Sequence, residues 1–173
     1  MPESTHKLVV MRHGQAEPRA SSDAQRALTG QGRADSQAAA AGIAEFFGDA
    51  RCIQAIYHSP FLRTTQTAAE LGDKLCADAG LPRLVAADDL LGGQTPQQVL
   101  DWLDAQALSS VVLVSHQPLV STLLAYLLDA DCSGSAGREY PMAPASYACL
   151  EFEVAGAGAF SLAGLYHADR YRN

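Results

Sequence analysis

The sequence predicts an α/β fold: a three-layer α/β/α sandwich around a mostly parallel sheet, with an antiparallel C-terminal hairpin. Three observations predict it. Residues 8–12 and 110–115 are short apolar runs without polar alternation, the pattern of strands buried on both faces. Strand-like runs and helix-like stretches alternate about four times along the chain, as a parallel sheet with crossover helices requires. Residues 146–154 and much of 159–166 instead alternate, joined by 155–158, which reads as a hairpin towards a sheet edge.

Each element follows from local pattern. Residues 8–12 (LVVMR) form a buried strand ending in a turn at His13-Gly14. Residues 15–28 are small and polar without periodicity, a loop. Thr29 precedes Gly30-Gln31-Gly32, and 34–47 reads as an alanine-rich helix whose Ala40, Ile43, Ala44 and Phe47 share one face. Residues 52–58 are a second strand. Ser59 follows as N-cap with Pro60 at the first helical position, opening a helix that runs to about Ala79 and stops at Gly80, with Pro82 beyond. Residues 84–87 are a short strand, Gly92-Gly93 breaks the chain, and Thr95-Pro96 caps a helix through Trp102. Residues 110–115 are the fourth strand, Gln117-Pro118 opens a helix to about Leu128, and 132–145 is a loop rich in Gly, Ser and Pro. No linker, internal repeat or low-complexity tract divides the 173 residues, so 1–173 is expected to be one domain.

Composition narrows the function classes. Hydrophobic residues make up 48% and charged residues 18%, the balance of a globular chain. A formal charge of -7 argues against a nucleic-acid binder, whose footprint is basic, although it leaves room for a local phosphate pocket. The longest apolar run, 119–128, is broken by Ser121 and Thr122 and is far short of the roughly 20 residues that span a bilayer. Residues 1–7 are polar, unlike a secretory leader. Cys52, Cys76, Cys132 and Cys149 are too widely spaced for a CxxC or zinc pattern. The expectation is a cytoplasmic protein with buried, reduced thiols and neither nucleic acid nor membrane as partner.

Ligands of open α/β sheets bind beyond the carboxyl ends of the strands. The first strand ends in Arg12-His13-Gly14, the second in Ser59-Pro60 with Arg63 in the next helical turn, and the fourth in Ser115-His116. A lone histidine at a strand end is ordinarily structural and a lone arginine on a first helical turn is ordinarily solvated. Two of each on one rim suit a dianionic phosphoryl group. Arginine offers a planar fork to phosphate oxygens. Helical side chains lean towards the N-terminus, which carries Arg63 to the anion-attracting end of its helix. Neutral imidazole, with an ordinary pKa of about 6.5, is a competent nucleophile. Gly14 would let the backbone approach the ring closely, and a nearby carbonyl would fix its tautomer. The absence of a Walker motif, an HExxH pair or a paired Asp cluster disfavours a P-loop NTPase and a metal-dependent hydrolase.

These residues lie in blocks that resemble the histidine phosphatase superfamily, also called phosphoglycerate-mutase-like. Arg12-His13-Gly14 is followed by Leu28-Thr29-Gly30-Gln31-Gly32, then Ser59-Pro60-Phe61-Leu62-Arg63-Thr64-Thr65-Gln66-Thr67-Ala68, then Val114-Ser115-His116-Gln117-Pro118-Leu119-Val120, in family order over most of the chain. The short length and the wording of the last two blocks look like the SixA-type phosphohistidine phosphatases. The resemblance implies His13 as nucleophile forming a phosphohistidine intermediate, with Arg12, Arg63 and His116 as phosphate ligands. It implies no metal and no cofactor. The implied substrate is a phosphohistidine-containing protein, such as a phosphotransfer domain or a phosphocarrier.

The leaving group separates this reading from its alternative, a small-molecule phosphomonoesterase acting on a sugar phosphate or nucleotide. An alcohol leaves poorly and needs a carboxylic acid to protonate it. In the family's esterases and mutases that acid follows the third strand. Here the region reads Ala86-Ala87-Asp88-Asp89-Leu90-Leu91-Gly92, where Asp89 is the closest positional match without the usual Glu context. Asp23, in the loop after the RHG turn, is a second candidate acid. Either carboxylate also fits a solvated loop or a helix cap. Imidazole leaves far more readily and asks less of an acid. Arg26 could contact substrate from the same loop, though a surface salt bridge fits it better, and Gln15 has no assigned role.

Overall fold

In the computed structural model, which describes residues 5–75, 83–107, 109–133 and 140–168, six strands form one sheet. They are β1 (His6–Arg12), β2 (Ala55–His58), β3 (Arg83–Ala86), β4 (Ser110–Ser115), β5 (Tyr147–Phe152) and β6 (Phe160–Tyr166), in the order β3-β2-β4-β1-β5-β6. The β3, β2, β4 and β1 pairings are parallel, and β5 joins β1 and β6 antiparallel. The hairpin therefore closes one edge of a mostly parallel sheet, as the sequence predicts.

The helices are α1 (Gly30–Phe47), α2 (Leu62–Leu75), α3 (Pro96–Ala105) and α4 (Leu119–Asp129). Successive residues of β1 serve opposite cores: Leu8 and Val10 pack with α3 and α4, while Val9 and Met11 pack with α1 and α2. β4 divides in the same way, Val111 and Leu113 on one side, Val112 and Val114 on the other. That two-sided burial is why these strands read as unbroken apolar runs. The chain leaves β1 for β2 in one direction and β4 for β5 in the other, so the segments after β1 and β4 diverge and leave a crevice at the sheet's carboxyl edge.

Two helix starts differ from the sequence expectation. α1 opens at Gly30 instead of Ala34, because the Thr29 hydroxyl accepts from the Gly32 amide at 3.0 Å and caps the helix across its two glycines. α2 opens at Leu62 instead of Pro60, because the Ser59 hydroxyl engages Thr64 and His116. α3 begins as expected, with Thr95 and Gln98 in a reciprocal capping box and Pro96 in its first turn. The expected stop of α2 near Ala79 to Pro82 lies outside the described residues.

One further expectation is corrected. Cys149 is buried, but Cys52 and Cys132 are exposed, each on a connecting segment instead of a core-facing position. Cys76 lies outside the described residues. Gly14 brings its carbonyl oxygen within 2.7 Å of the histidine ring, as expected, and has a second contact as well: a Cβ there would sit 2.5 Å from the Gly32 carbonyl oxygen, and one on Gly32 would overlap the Gln15 backbone. The RHG turn and the first turn of α1 thus touch backbone to backbone, which only glycine permits.

Candidate active site

Strand register brings the candidate residues together. Arg12 pairs with Ser115 and His58 with Val114, so His13, His116 and Ser59 each follow a strand end on one edge. The His13 amide donates to the Ser115 carbonyl at 3.0 Å, and the Ser59 amide to the Val114 carbonyl at 3.2 Å. The His13 and His116 rings meet edge to face with centroids 5.2 Å apart.

The His13 ring is held by its own turn. Nδ1 lies 2.7 Å from the Gly14 carbonyl oxygen. A carbonyl only accepts, so Nδ1 carries the proton and Nε2 keeps its lone pair. That lone pair accepts from Arg63 Nε at 3.2 Å. Burial pushes the His13 pKa down to about 3, a descent opposed by the Gly14 hydrogen bond and reinforced by His116, Arg63 and Arg12. The ring is neutral at pH 7, with its lone pair on the nitrogen facing Arg63, the state an imidazole nucleophile requires.

Arg63, in the first turn of α2, is 7% exposed. Beyond His13 it donates from Nη1 to the Asp23 carbonyl at 2.7 Å and from Nη2 to the Asp23 carboxylate at 3.0 Å. Arg12 donates from Nη1 to the Met142 carbonyl at 2.8 Å, while its Nε is buried without a partner. Burial and the neighbouring Arg63 charge both pull the Arg12 pKa below its ordinary value. His116 donates through Nε2 to, or accepts from, the Ser59 hydroxyl, and its Nδ1 is the other buried side-chain nitrogen without a partner among the described residues. Burial, then Arg63, pushes the His116 pKa down to about 4, with Asp23 opposing and Arg12 adding slightly. Two guanidiniums and two imidazoles crowd one pocket, with two nitrogens unsatisfied. An oxyanion would relieve both the repulsion and the missing hydrogen bonds.

The two candidate acids are placed differently. The Asp23 carboxylate bonds Arg26 Nη1 through Oδ1 and Arg63 Nη2 through Oδ2, both at 3.0 Å. Those bonds, Arg26 first, hold its pKa below the usual carboxylate range although the side chain is 59% exposed. Asp23 is thus an acceptor that orients Arg63, and Arg26 is the arginine it pairs with. Asp89 lies in a 3-10 turn, Asp88–Leu90, and its carboxylate makes no hydrogen bond or ion pair among the described residues. The turn is tied to the site's flank, because Ser115 Oγ donates to the Leu90 carbonyl at 2.6 Å and Gly92 packs beside His116. Gln15 accepts from the Thr29 hydroxyl at 2.9 Å, a structural contact.

Several supporting residues lay unassigned within the sequence blocks. Thr67 accepts from the Gly14 amide at 3.1 Å, and Gln66 accepts from the Leu28 amide at 2.7 Å. Thr64 contacts Ser59, and Phe61 packs edge to face on His116 and under the Arg63 guanidinium. The signal available in the sequence was a run of threonines at helical spacing, Thr64 and Thr67, on a face that should have been apolar. α2 therefore reaches the RHG turn through Arg63 and Thr67, and the segment entering α1 through Gln66.

Known proteins share this organisation. The profile of the histidine phosphatase superfamily (branch 1) matches residues 8–82. The phosphohistidine phosphatase SixA of Escherichia coli (strain K12) is 33% identical over 158 residues, spanning 90% of this chain and 91% of that protein. A structure of the protein histidine phosphatase SixA complexed with tungstate superposes with a TM-score of 0.79 at 25% identity, covering 96% of this chain and 99% of the other. A mycobacterial glucosyl-3-phosphoglycerate phosphatase complexed with VO3 shares the fold with a TM-score of 0.68 at 18% identity, covering 94% and 99%.

Proposed function

From the premise that the chain belongs to the histidine phosphatase superfamily and is a phosphatase with a catalytic histidine, we propose that it dephosphorylates phosphohistidine on a protein, with His13 as nucleophile. The observation that carries the reading is the His13 ring itself: Nδ1 held by the Gly14 carbonyl, Nε2 unprotonated, and the ring ringed by Arg12, Arg63 and His116. In the reaction His13 Nε2 attacks phosphorus in line as the bond to the target imidazole breaks. Water then hydrolyses phospho-His13 and frees phosphate. Arg12, Arg63 and His116 stabilise the equatorial oxygens, where most of the barrier lowering in phosphoryl transfer arises.

The state of Asp23 supports imidazole over alcohol as leaving group. A carboxylate paired to two arginines, with a lowered pKa, holds no proton to give near neutrality. The similarity to SixA points the same way and supports a phosphohistidine-containing protein as substrate. No metal or cofactor enters the steps.

The test is phosphate release from a phosphohistidine-bearing protein with excess chelator, for the wild type and His13→Ala. Release that survives chelation and vanishes in the variant is the expected result. Turnover of a simple phosphate ester without release from the phosphoprotein would move the assignment to the small-molecule alternative. Asp89→Asn separates the two further. It should leave phosphohistidine turnover within about twofold, whereas an esterase using Asp89 as its acid would lose about 100-fold or more on alkyl phosphates.

A further inference from the structure

His116 Nε2 ends a chain of hydroxyls whose direction is set by its far end. Ser59 Oγ lies 2.5 Å from His116 Nε2 and 2.8 Å from Thr64 Oγ1. Thr64 Oγ1 lies 2.8 Å from the Ser59 carbonyl and 2.7 Å from the Phe61 carbonyl. Carbonyls only accept, so the single Thr64 proton must face them; otherwise three oxygens would meet without a hydrogen. Ser59 then donates to Thr64 and has no proton left for His116. It accepts instead, from His116 Nε2–H and from the Phe61 amide at 3.4 Å. Ser59 and Thr64 are both fully buried, so water cannot reverse the order.

We propose that Ser59 and Thr64 are positioning residues that hold neutral His116 in the tautomer protonated on Nε2, so that His116 can donate to a bound oxyanion only by taking up a proton. Nε2 is committed to Ser59, which leaves Nδ1 as the one ring nitrogen available to a ligand. In the resting tautomer Nδ1 is a bare lone pair, repelled by a phosphoryl oxygen. Protonation turns it into a charged donor. The groups facing the ring are Arg12 at the end of β1 and His13 just after it, Arg63 on α2 and Asp23 on the loop before α1; from the segment after β3, Gly92 packs close enough that a Cβ there would lie 3.5 Å from His116 Cβ. The cations disfavour the imidazolium in the free enzyme, and an incoming dianion offsets them. Oxyanion binding at this pocket thus carries a proton with it. The inference rests on His116 belonging to the phosphoryl pocket.

Two measurements test it. Nitrogen-15 NMR of the free wild-type protein should show His116 protonated on Nε2 and bare on Nδ1; the opposite tautomer overturns the proposal. Tungstate affinity should then be followed from about pH 6 to about pH 9. One proton taken up at His116 contributes about a tenfold loss of affinity per pH unit wherever the free ring is neutral and the bound ring charged. Thr64→Val removes the acceptor, frees Ser59 to donate to Nε2, and lets neutral His116 present Nδ1–H. It should take up one proton fewer on binding, while Thr64→Ser should behave as wild type. Equal proton uptake in wild type and Thr64→Val overturns the proposal. Absence of tungstate binding at every pH would count against the phosphoryl pocket itself, while the tautomer remains decided by NMR.

Discussion

Burial holds both pocket histidines uncharged far into the acid range, His13 to about 3 and His116 to about 4. In the unfolded chain each would titrate near 6.5. The folded values are depressed, so the stability linked to these groups is fully present above about pH 6.5. It is lost as pH falls towards the folded values, because the unfolded chain binds the proton first. Urea titrations should therefore show unfolding free energy declining from about pH 6.5 to about pH 4, with a shallower decline in His13→Asn. An unchanged slope in that variant would exclude His13 as a source. Asp23 makes a different prediction. It orients Arg63 through carboxylate and carbonyl together. Asp23→Asn should slow phosphatase turnover by about 10- to 100-fold through misplacement of the guanidinium, with the shape of the pH–rate profile retained. Loss of one limb of that profile would instead mark Asp23 as an acid.

Contacts between elements depend on small residues at few positions. The turn after β1 meets α1 through Gly14 and Gly32, where side chains would collide with backbone. Gly32→Ala should destabilise by about 2–4 kcal/mol and shift the His13 turn, lowering activity even in the folded fraction. Chemical denaturation together with turnover at a temperature where the variant is folded would check both effects. The opposite effect is expected at the end of α4, where Ala130 adopts φ 56, a left-handed conformation that favours glycine. Ala130→Gly should stabilise by about 0.5–1 kcal/mol, the relief of strain less the added freedom of the unfolded chain. A lower denaturation midpoint in that variant would show that the turn tolerates alanine without strain.

Across the whole molecule, the sheet separates two apolar cores, and β4 contributes to both from its middle. Leu113 is 1% exposed in the core under α3 and α4. Leu113→Ala should cost about 2–5 kcal/mol. Because the same strand bears Ser115 and leads into His116, unfolding followed by tryptophan fluorescence, from Trp102 beside that core, and by loss of activity should coincide. Separate transitions would mean that the pocket melts independently of the sheet. Among the described residues no helix is long and apolar enough to cross a membrane.

Local pattern alone determined the order of strands and helices, because a strand buried on both faces must be continuously apolar and a capped helix must begin with a residue such as Thr95 before Pro96. It also located Arg12, His13, Arg63 and His116 at strand and helix ends. What those four residues do to one another was decided by tertiary structure. Register set His13 beside His116, and desolvation of that pair depressed their pKa values. The loop residue Asp23 came to brace Arg63 from 40 positions away. Ser59 illustrates the limit most clearly. By sequence it reads as a helix cap, yet its hydroxyl lies in a buried chain whose far acceptors are backbone carbonyls. Hydrogen-bond competition inside a packed site depends on which groups folding brings within 3 Å, and local sequence carries no record of that proximity.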